Sequence, residues 1–194
     1  MRAFHRFLFT SGSTLISNQM DNLRYPIGKF KQEGEITSDE VARWIDQIET
    51  LPQQVHAAIE GLSNEQLDTP YRLDGWTVRQ VVHHIGDSHM NSLVRFKWAL
   101  TEDEPEIKAY HQDRWAELAD YRDVPIETAL TFLEALHVRL VALLRSLDEN
   151  GLKRRFVHPE LGLVTLAWNI GLYAWHGRHH LAHITHLKAR EGWE

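Results

Sequence analysis

The 194-residue chain contains no cysteine. That absence excludes disulfides, thiolate zinc sites and a thiol nucleophile supplied by the protein itself. Any metal must therefore be held by His, Asp or Glu. Long apolar runs are missing too. No window approaches the roughly 18 to 20 apolar residues that a membrane span needs, so a soluble, cytoplasmic protein with no membrane partner is expected. Excess positive charge is also lacking: 21 basic side chains against 27 acidic ones give a formal charge of −6. Such a balance offers no general attraction for phosphate backbones and argues against a nucleic-acid role. The first 19 residues have no acidic side chain and two arginines. They are expected to be a disordered N-terminal extension, with MDNLRYPIGKF from Met20 as a natural start. Residues 20–194 then form one domain, long enough to bury its own core.

What is present is helical periodicity. Residues 21–36, with Pro26, Gly28 and Gly34, read as an extended arm. Thr37 and Glu40 fit a capping box, after which Val41, Trp44, Ile45, Ile48, Leu51, Val55 and Ile59 recur at helical spacing. Pro52 is expected to kink or split that helix. A short capped turn spans Ser63 to Leu67. A second long helix is expected from about Trp76 to Leu100, with Val78, Val82, Ile85, Leu93 and Phe96 on one face and Thr77, Gln80, His84, Ser88, Asn91 and Arg95 on the other. Thr101 to Val124 reads as a long loop with one helical turn near Arg114 to Ala119. A third helix is expected over residues 125–147, a small hairpin pairs Phe156–His158 with Leu163–Thr165, and a fourth helix runs from Thr165 to about Arg190. Four long amphipathic helices with little strand define an all-α four-helix bundle, whose sites are built from inward-facing side chains.

Histidine is the unusual component. Five of the 13 histidines fall in YAWHGRHHLAHITH, Tyr173 to His186. At 100° per residue, His176, His180 and His183 share the core-facing stripe with Asn169, Leu172, Tyr173 and Leu187. Burying imidazoles without partners costs on the order of 1 to 3 kcal/mol per unsatisfied group, so three on one stripe point to a metal. His179 and His186 lie off the stripe and read as ordinary surface histidines. Spacing alone leaves the ligands open, because His179 and His183 are also four apart. In the second helix His83, His84 and His89 are all available, and periodicity puts His89 with the apolar residues.

GWTVRQVVHHIGDSHMNSLVRFKWALTE, then FVHPE, then LYAWHGRHHLAHITHL, occur in the order seen in the DinB-like metalloprotein superfamily, and the chain resembles its YfiT-like branch of bacillithiol S-transferases and metal-dependent hydrolases. The resemblance runs from about Tyr25 to Trp193. It implies a DinB-like up-down-down-up four-helix bundle, a homodimer, and one Zn²⁺ or Ni²⁺ ion per chain. It further implies that His84, His176 and His180 are the ligands, which selects His84 over His83 and His89.

Three neutral imidazoles leave the charge of an ion intact and coordination positions free, as in a catalytic site. The reading that follows is a metal-dependent transferase conjugating a small-molecule thiol such as bacillithiol to an electrophilic substrate in detoxification. The alternative is a metal-dependent hydrolase using an activated water, and a second alternative is a non-catalytic metal-binding protein. Asp87, one turn after His84, is expected either to shuttle protons or to accept a hydrogen bond from a ligand imidazole. His183 is a further catalytic candidate, and Tyr173 and Arg178 are candidate substrate contacts. Hydrolysis needs a carboxylate base, and none lies between His176 and His180, which favours the transferase.

Overall fold

The structure is a computed structural model and describes residues 22–193. The expected extension, residues 1–19, lies outside the described residues. Four long helices carry the fold: α1 (Ser38–Ile59), α3 (Val78–Thr101), α6 (Ile126–Arg145) and α8 (Leu166–Glu191). Shorter helices are α2 (Asn64–Leu67), α4 (Gln112–Trp115), α5 (Ala119–Asp123) and α7 (Glu149–Lys153). Strands β1 (Arg155–His158) and β2 (Gly162–Thr165) pair antiparallel just before α8, with Phe156 opposite Val164. Capping chemistry sets the helix starts. Thr37, Ser63 and Thr77 each close a capping box with the Glu or Gln three residues on.

Helix directions follow from which residues meet. Trp44 lies beside Gly171 and Leu51 beside Gly177, so α1 and α8 run the same way. Gly86 faces Phe132 and His89 stacks on His137, so α3 and α6 are also parallel. His84 meets His180 whereas Ser92 meets Asn169, so α3 and α8 are antiparallel. The order is therefore up-down-down-up. The closeness of α1 and α8 depends on glycine: a Cβ at position 177 would lie 2.3 Å from Leu51 Cδ2.

The core divides into two apolar clusters. One is built on Trp44, Ile48, Leu93, Phe96, Leu140 and Ile170, the other on Leu51, Val55, Val82, Ile85, Leu133 and Ile184. On α3, α6 and α8 the residues between these clusters include His89, His137, His176 and His180. A histidine layer thus crosses the bundle at mid-height, where two of the helix pairs run parallel.

Several expectations need correction. Pro52 does not split α1, which continues from Ser38 to Ile59. A proline cannot donate to the carbonyl four residues back, and the Ile48 carbonyl so released accepts instead from His137 Nδ1 at 2.7 Å. The segment after α3 holds two short helices rather than one turn, and α7, capped by the Asp148 side chain on Gly151 N, was not expected at all. No helix among the described residues is long and apolar enough to cross a membrane.

Candidate metal centre

α3 and α8 cross the bundle side by side, and this brings His84 to His176 and His180. Each of the three offers a ring nitrogen within 4.8 Å of the other two. His84 Nε2 and His176 Nε2 are 3.2 Å apart. Two nitrogens bound to one tetrahedral ion at about 2.0–2.1 Å stand roughly 3.3 Å apart, so this pair is already at chelating distance. The third ring is close as well, with its centroid 4.7 Å from that of His84 and 4.5 Å from that of His176.

The donors are suited to a cation because they are uncharged. Burial holds the basicity of His84 down to about 3. For His176 and His180 burial pushes it well below the ordinary range, with neighbouring histidines adding to the effect. All three therefore present lone pairs at neutral pH. An all-imidazole set suits borderline cations such as Zn²⁺ and Ni²⁺ better than Mg²⁺ or Ca²⁺.

The rings are held from behind. His176 Nδ1 lies 3.3 Å from His89 Nε2. His89 is fully buried and stacks on His137 with centroids 4.9 Å apart. His137 in turn donates to the Ile48 carbonyl freed by Pro52. A continuous file, Ile48, His137, His89, His176, leads from the backbone of α1 to a ligand nitrogen. Trp76 packs on His84, with centroids 4.4 Å apart, and lies nearly parallel to His180. His89 is the residue that periodicity assigned to the apolar face. It is buried there, but as a hydrogen-bond partner.

Asp87 does not take the role of a ligand's hydrogen-bond acceptor. Its carboxylate accepts from the Tyr121 hydroxyl at 2.7 Å, and its backbone carbonyl accepts from Asn91. Burial raises its pKa, partly offset by the Tyr121 bond. It anchors α5 to α3 rather than reaching the centre. The spacing that suggested otherwise identified a neighbour on the helix, whereas the actual partner lies 34 residues away. Arg178 is exposed and its Nε donates to the Ala174 carbonyl of its own helix; it lines neither cleft described below.

Tyr173 is buried, and its hydroxyl accepts from Arg95 Nη1 at 3.2 Å. His183 stacks flat on Tyr71, with centroids 3.9 Å apart, and donates from Nε2 to the Arg24 carbonyl at 3.2 Å. Its basicity falls to about 3, chiefly through burial. That makes it a poor proton carrier at neutral pH, against its expected catalytic role. His179 is not a surface residue: it is buried, stacked on Trp175, and grouped with His180 and His183. Because His180 belongs to both groups, an ion held by His84, His176 and His180 takes a donor from the other trio. His186 is exposed, as expected.

Two clefts open beside the trio. One, of about 450 Å³, is lined by Ser88, Arg95, Tyr110, Arg114, His158 and Tyr173. The other, of about 360 Å³, is lined by Tyr25, Tyr71, Trp76, His179, His180 and His183. His176, Gln112 and Asp113 line both. The segment carrying α4, which read as loop in the sequence, therefore lies between two openings onto a ligand histidine.

Comparison with known proteins supports the four-helix fold and a metal-dependent protein. Residues 47–184 match the DinB superfamily. A protein of Bacillus cereus (strain 03BB102) named "Putative metal-dependent hydrolase" is 55% identical over 174 residues, spanning 90% of this chain and 100% of its own. A relative from Bacillus mycoides (strain KBAB4), similarly named, is likewise 55% identical over 174 residues, with the same 90% and 100% spans. Among solved structures, YfiT from Bacillus subtilis, described as a probable metal-dependent hydrolase with an unusual four-helix bundle topology, superposes with a TM-score of 0.87 at 47% identity, covering 89% of this chain and 99% of that one. TT2238, a four-helix bundle protein, shares the fold alone, with a TM-score of 0.52 at 18% identity over 78% of this chain and 98% of its own.

Proposed function

The chain belongs to the DinB superfamily, and from that premise we propose that it is a metal-dependent transferase joining a low-molecular-weight thiol, such as bacillithiol, to an electrophilic small molecule. The observation that carries this reading is the pair of clefts meeting at His176. Two reactants need two approaches to one centre, and a hydrolase acting with water needs only one. A Zn²⁺ or Ni²⁺ ion held by His84, His176 and His180 would supply Lewis acidity and favour the thiolate form of a thiol at neutral pH.

The rest is the work of the chain's own residues. The file through His89 and His137 keeps His176 Nε2 turned toward His84. Trp76 and Tyr71 wall the second cleft with aromatic faces suited to an apolar electrophile. His183, whose Nε2–H is engaged by the Arg24 carbonyl and whose ring stacks on Tyr71, braces the wall of the second cleft rather than moving a proton. In the conjugation, the thiol sulfur forms the new bond to carbon, the leaving group departs as an anion with the electron pair of the bond that breaks, and the thiol proton is released. Asp113, exposed and lining both clefts, is placed to pass that proton to solvent.

The same Asp113 favours a second reading, hydrolysis, because it supplies the carboxylate that the sequence between His176 and His180 lacks; the relatives' names point the same way. Zn²⁺-loaded protein offered an activated aryl halide together with bacillithiol, cysteine or glutathione is expected to yield the thioether. Absence of turnover with every thiol, alongside cleavage of an ester or amide, overturns the transferase in favour of the hydrolase.

A further inference from the structure

We propose that Arg95 anchors a carboxylate subsite in the larger cleft beside His176, so that the thiol taken there is one that carries a carboxylate. This deepens the transferase reading and rests on it for the identity of the ligand, though not for the existence of the subsite.

Arg95 is only 8% exposed. Its guanidinium makes one side-chain hydrogen bond among the described residues, from Nη1 to the Tyr173 hydroxyl, and it forms no ion pair there. Taking an arginine out of water without an anion is unfavourable, and natural proteins rarely leave such a charge unmatched. A tyrosine oxygen satisfies one donor of five and none of the charge. The remaining fork is suited to a carboxylate, which it can grip through two parallel bonds.

The position of this charge matters. Arg95 lines the cleft of about 450 Å³ that also exposes His176. Beyond burial, which dominates, the Arg95 charge also holds down the basicity of His158, so its field reaches the hairpin wall of the cleft. The other charged groups lining the cleft are Arg114, Asp113 and Glu160, all exposed. Water screens these three, and they cancel to within one unit, which leaves Arg95 as the buried charge a ligand would meet. Tyr173, a substrate-contact candidate in the sequence, acts one step back by fixing one edge of the guanidinium.

The test compares N-acetylcysteine with N-acetylcysteamine, which differ only in the carboxylate, by calorimetry on Zn²⁺-loaded protein. Binding of N-acetylcysteine is expected to be 10- to 100-fold tighter. Arg95→Gln should abolish that preference and Arg95→Lys should retain part of it. Because the wild-type charge is unmatched, Arg95→Gln is also expected to keep or raise Tm. Equal affinities in the wild type, or a preference that survives Arg95→Gln, overturn the proposal, as does a lowered Tm with an unchanged affinity ratio, the signature of a purely structural arginine. Succinate, which has no sulfur, separates this proposal from the reaction above. Binding to the wild type but not to Arg95→Gln upholds the subsite even if no thiol is conjugated; binding to neither overturns it.

Discussion

Nδ1 of His176 lies 3.3 Å from Nε2 of His89. The two rings settle each other's protons. His176 turns Nε2 toward His84, 3.2 Å away, and to leave that nitrogen free for an ion its proton must sit on Nδ1. His89 Nε2 is then the acceptor. A buried neutral imidazole therefore fills the place that a carboxylate or carbonyl usually takes behind a ligand histidine. It orients the ring without adding negative charge, which leaves the full charge of a bound cation for the reactants.

Replacing His89 should loosen the centre without removing a ligand. His89→Ala is expected to weaken Zn²⁺ binding about 10- to 100-fold, the usual cost of losing such a partner. His89→Gln, which can still accept from Nδ1–H, should recover part of the loss. Competition with a chromophoric chelator reads both values. An alanine variant with unchanged Zn²⁺ affinity would show that the 3.3 Å contact does not orient His176.

Pro52 and His137 form a compensating pair. His137 Nδ1 satisfies the Ile48 carbonyl that Pro52 cannot reach. His137→Ala should cost about 1 to 3 kcal/mol from the orphaned carbonyl alone. In that background Pro52→Ala restores an N–H to the helix and should return a measurable part of the loss, whereas in the wild type the same change finds its acceptor already taken. Urea unfolding of the four proteins forms a double-mutant cycle, and a coupling energy of zero rules the compensation out.

How much of this the sequence displayed depends on distance along the chain. Thr37, Ser63 and Thr77 were legible as caps because a capping box closes within three residues. The apolar stripes of α1 and α6 were legible because one helix face repeats every turn. The four-helix bundle was legible from the helix count, whereas its up-down-down-up order and the grouping of His84 with His176 and His180 came from family motifs, since periodicity places His89 rather than His84 on the inward, apolar face. What stayed hidden is pairwise and remote. Asp87 finds Tyr121 34 residues on, His137 finds Ile48 89 residues back, and Arg95 meets Tyr173 across 78 residues. The proline inside the first helix was visible as an irregularity. The partners could be known only once the helices were packed. Arg178 fails for the complementary reason: it is close in sequence to two site histidines but turned outward by the helical phase.

The approach of α8 to α1 gives a stability prediction. Gly177 faces Leu51, which is 1% exposed and has little room to retreat. Gly177→Ala gains helix propensity of about 1 kcal/mol but forces a buried side chain aside, typically at about 1 to 3 kcal/mol. A net loss is expected. Leu51→Ala should relieve the clash, so the double variant should fall short of the sum of the two single losses. Denaturant midpoints test this, and simple additivity would place the collision elsewhere.

Stability should fall as acid is added, well before the carboxylates titrate. Burial lowers the basicity of His137 from the ordinary 6.5 to about 4, with the Ile48 bond opposing in part, and lowers that of His84 to about 3. Between roughly pH 6.5 and those values the unfolded chain takes up protons that the folded one refuses. The contribution of each histidine is therefore complete above pH 6.5 and is lost as pH falls toward its folded value. Within that window each such group steepens the loss by about 1.4 kcal/mol per pH unit. Urea unfolding of metal-free protein at pH 7.5, 6.0 and 5.0 should show the decline, and His137→Gln should flatten it by close to one proton. Stability that holds level from pH 6.5 to 5.0 would mean that the histidine layer accepts protons without unfolding, and the neutral, lone-pair-presenting centre would have to be abandoned.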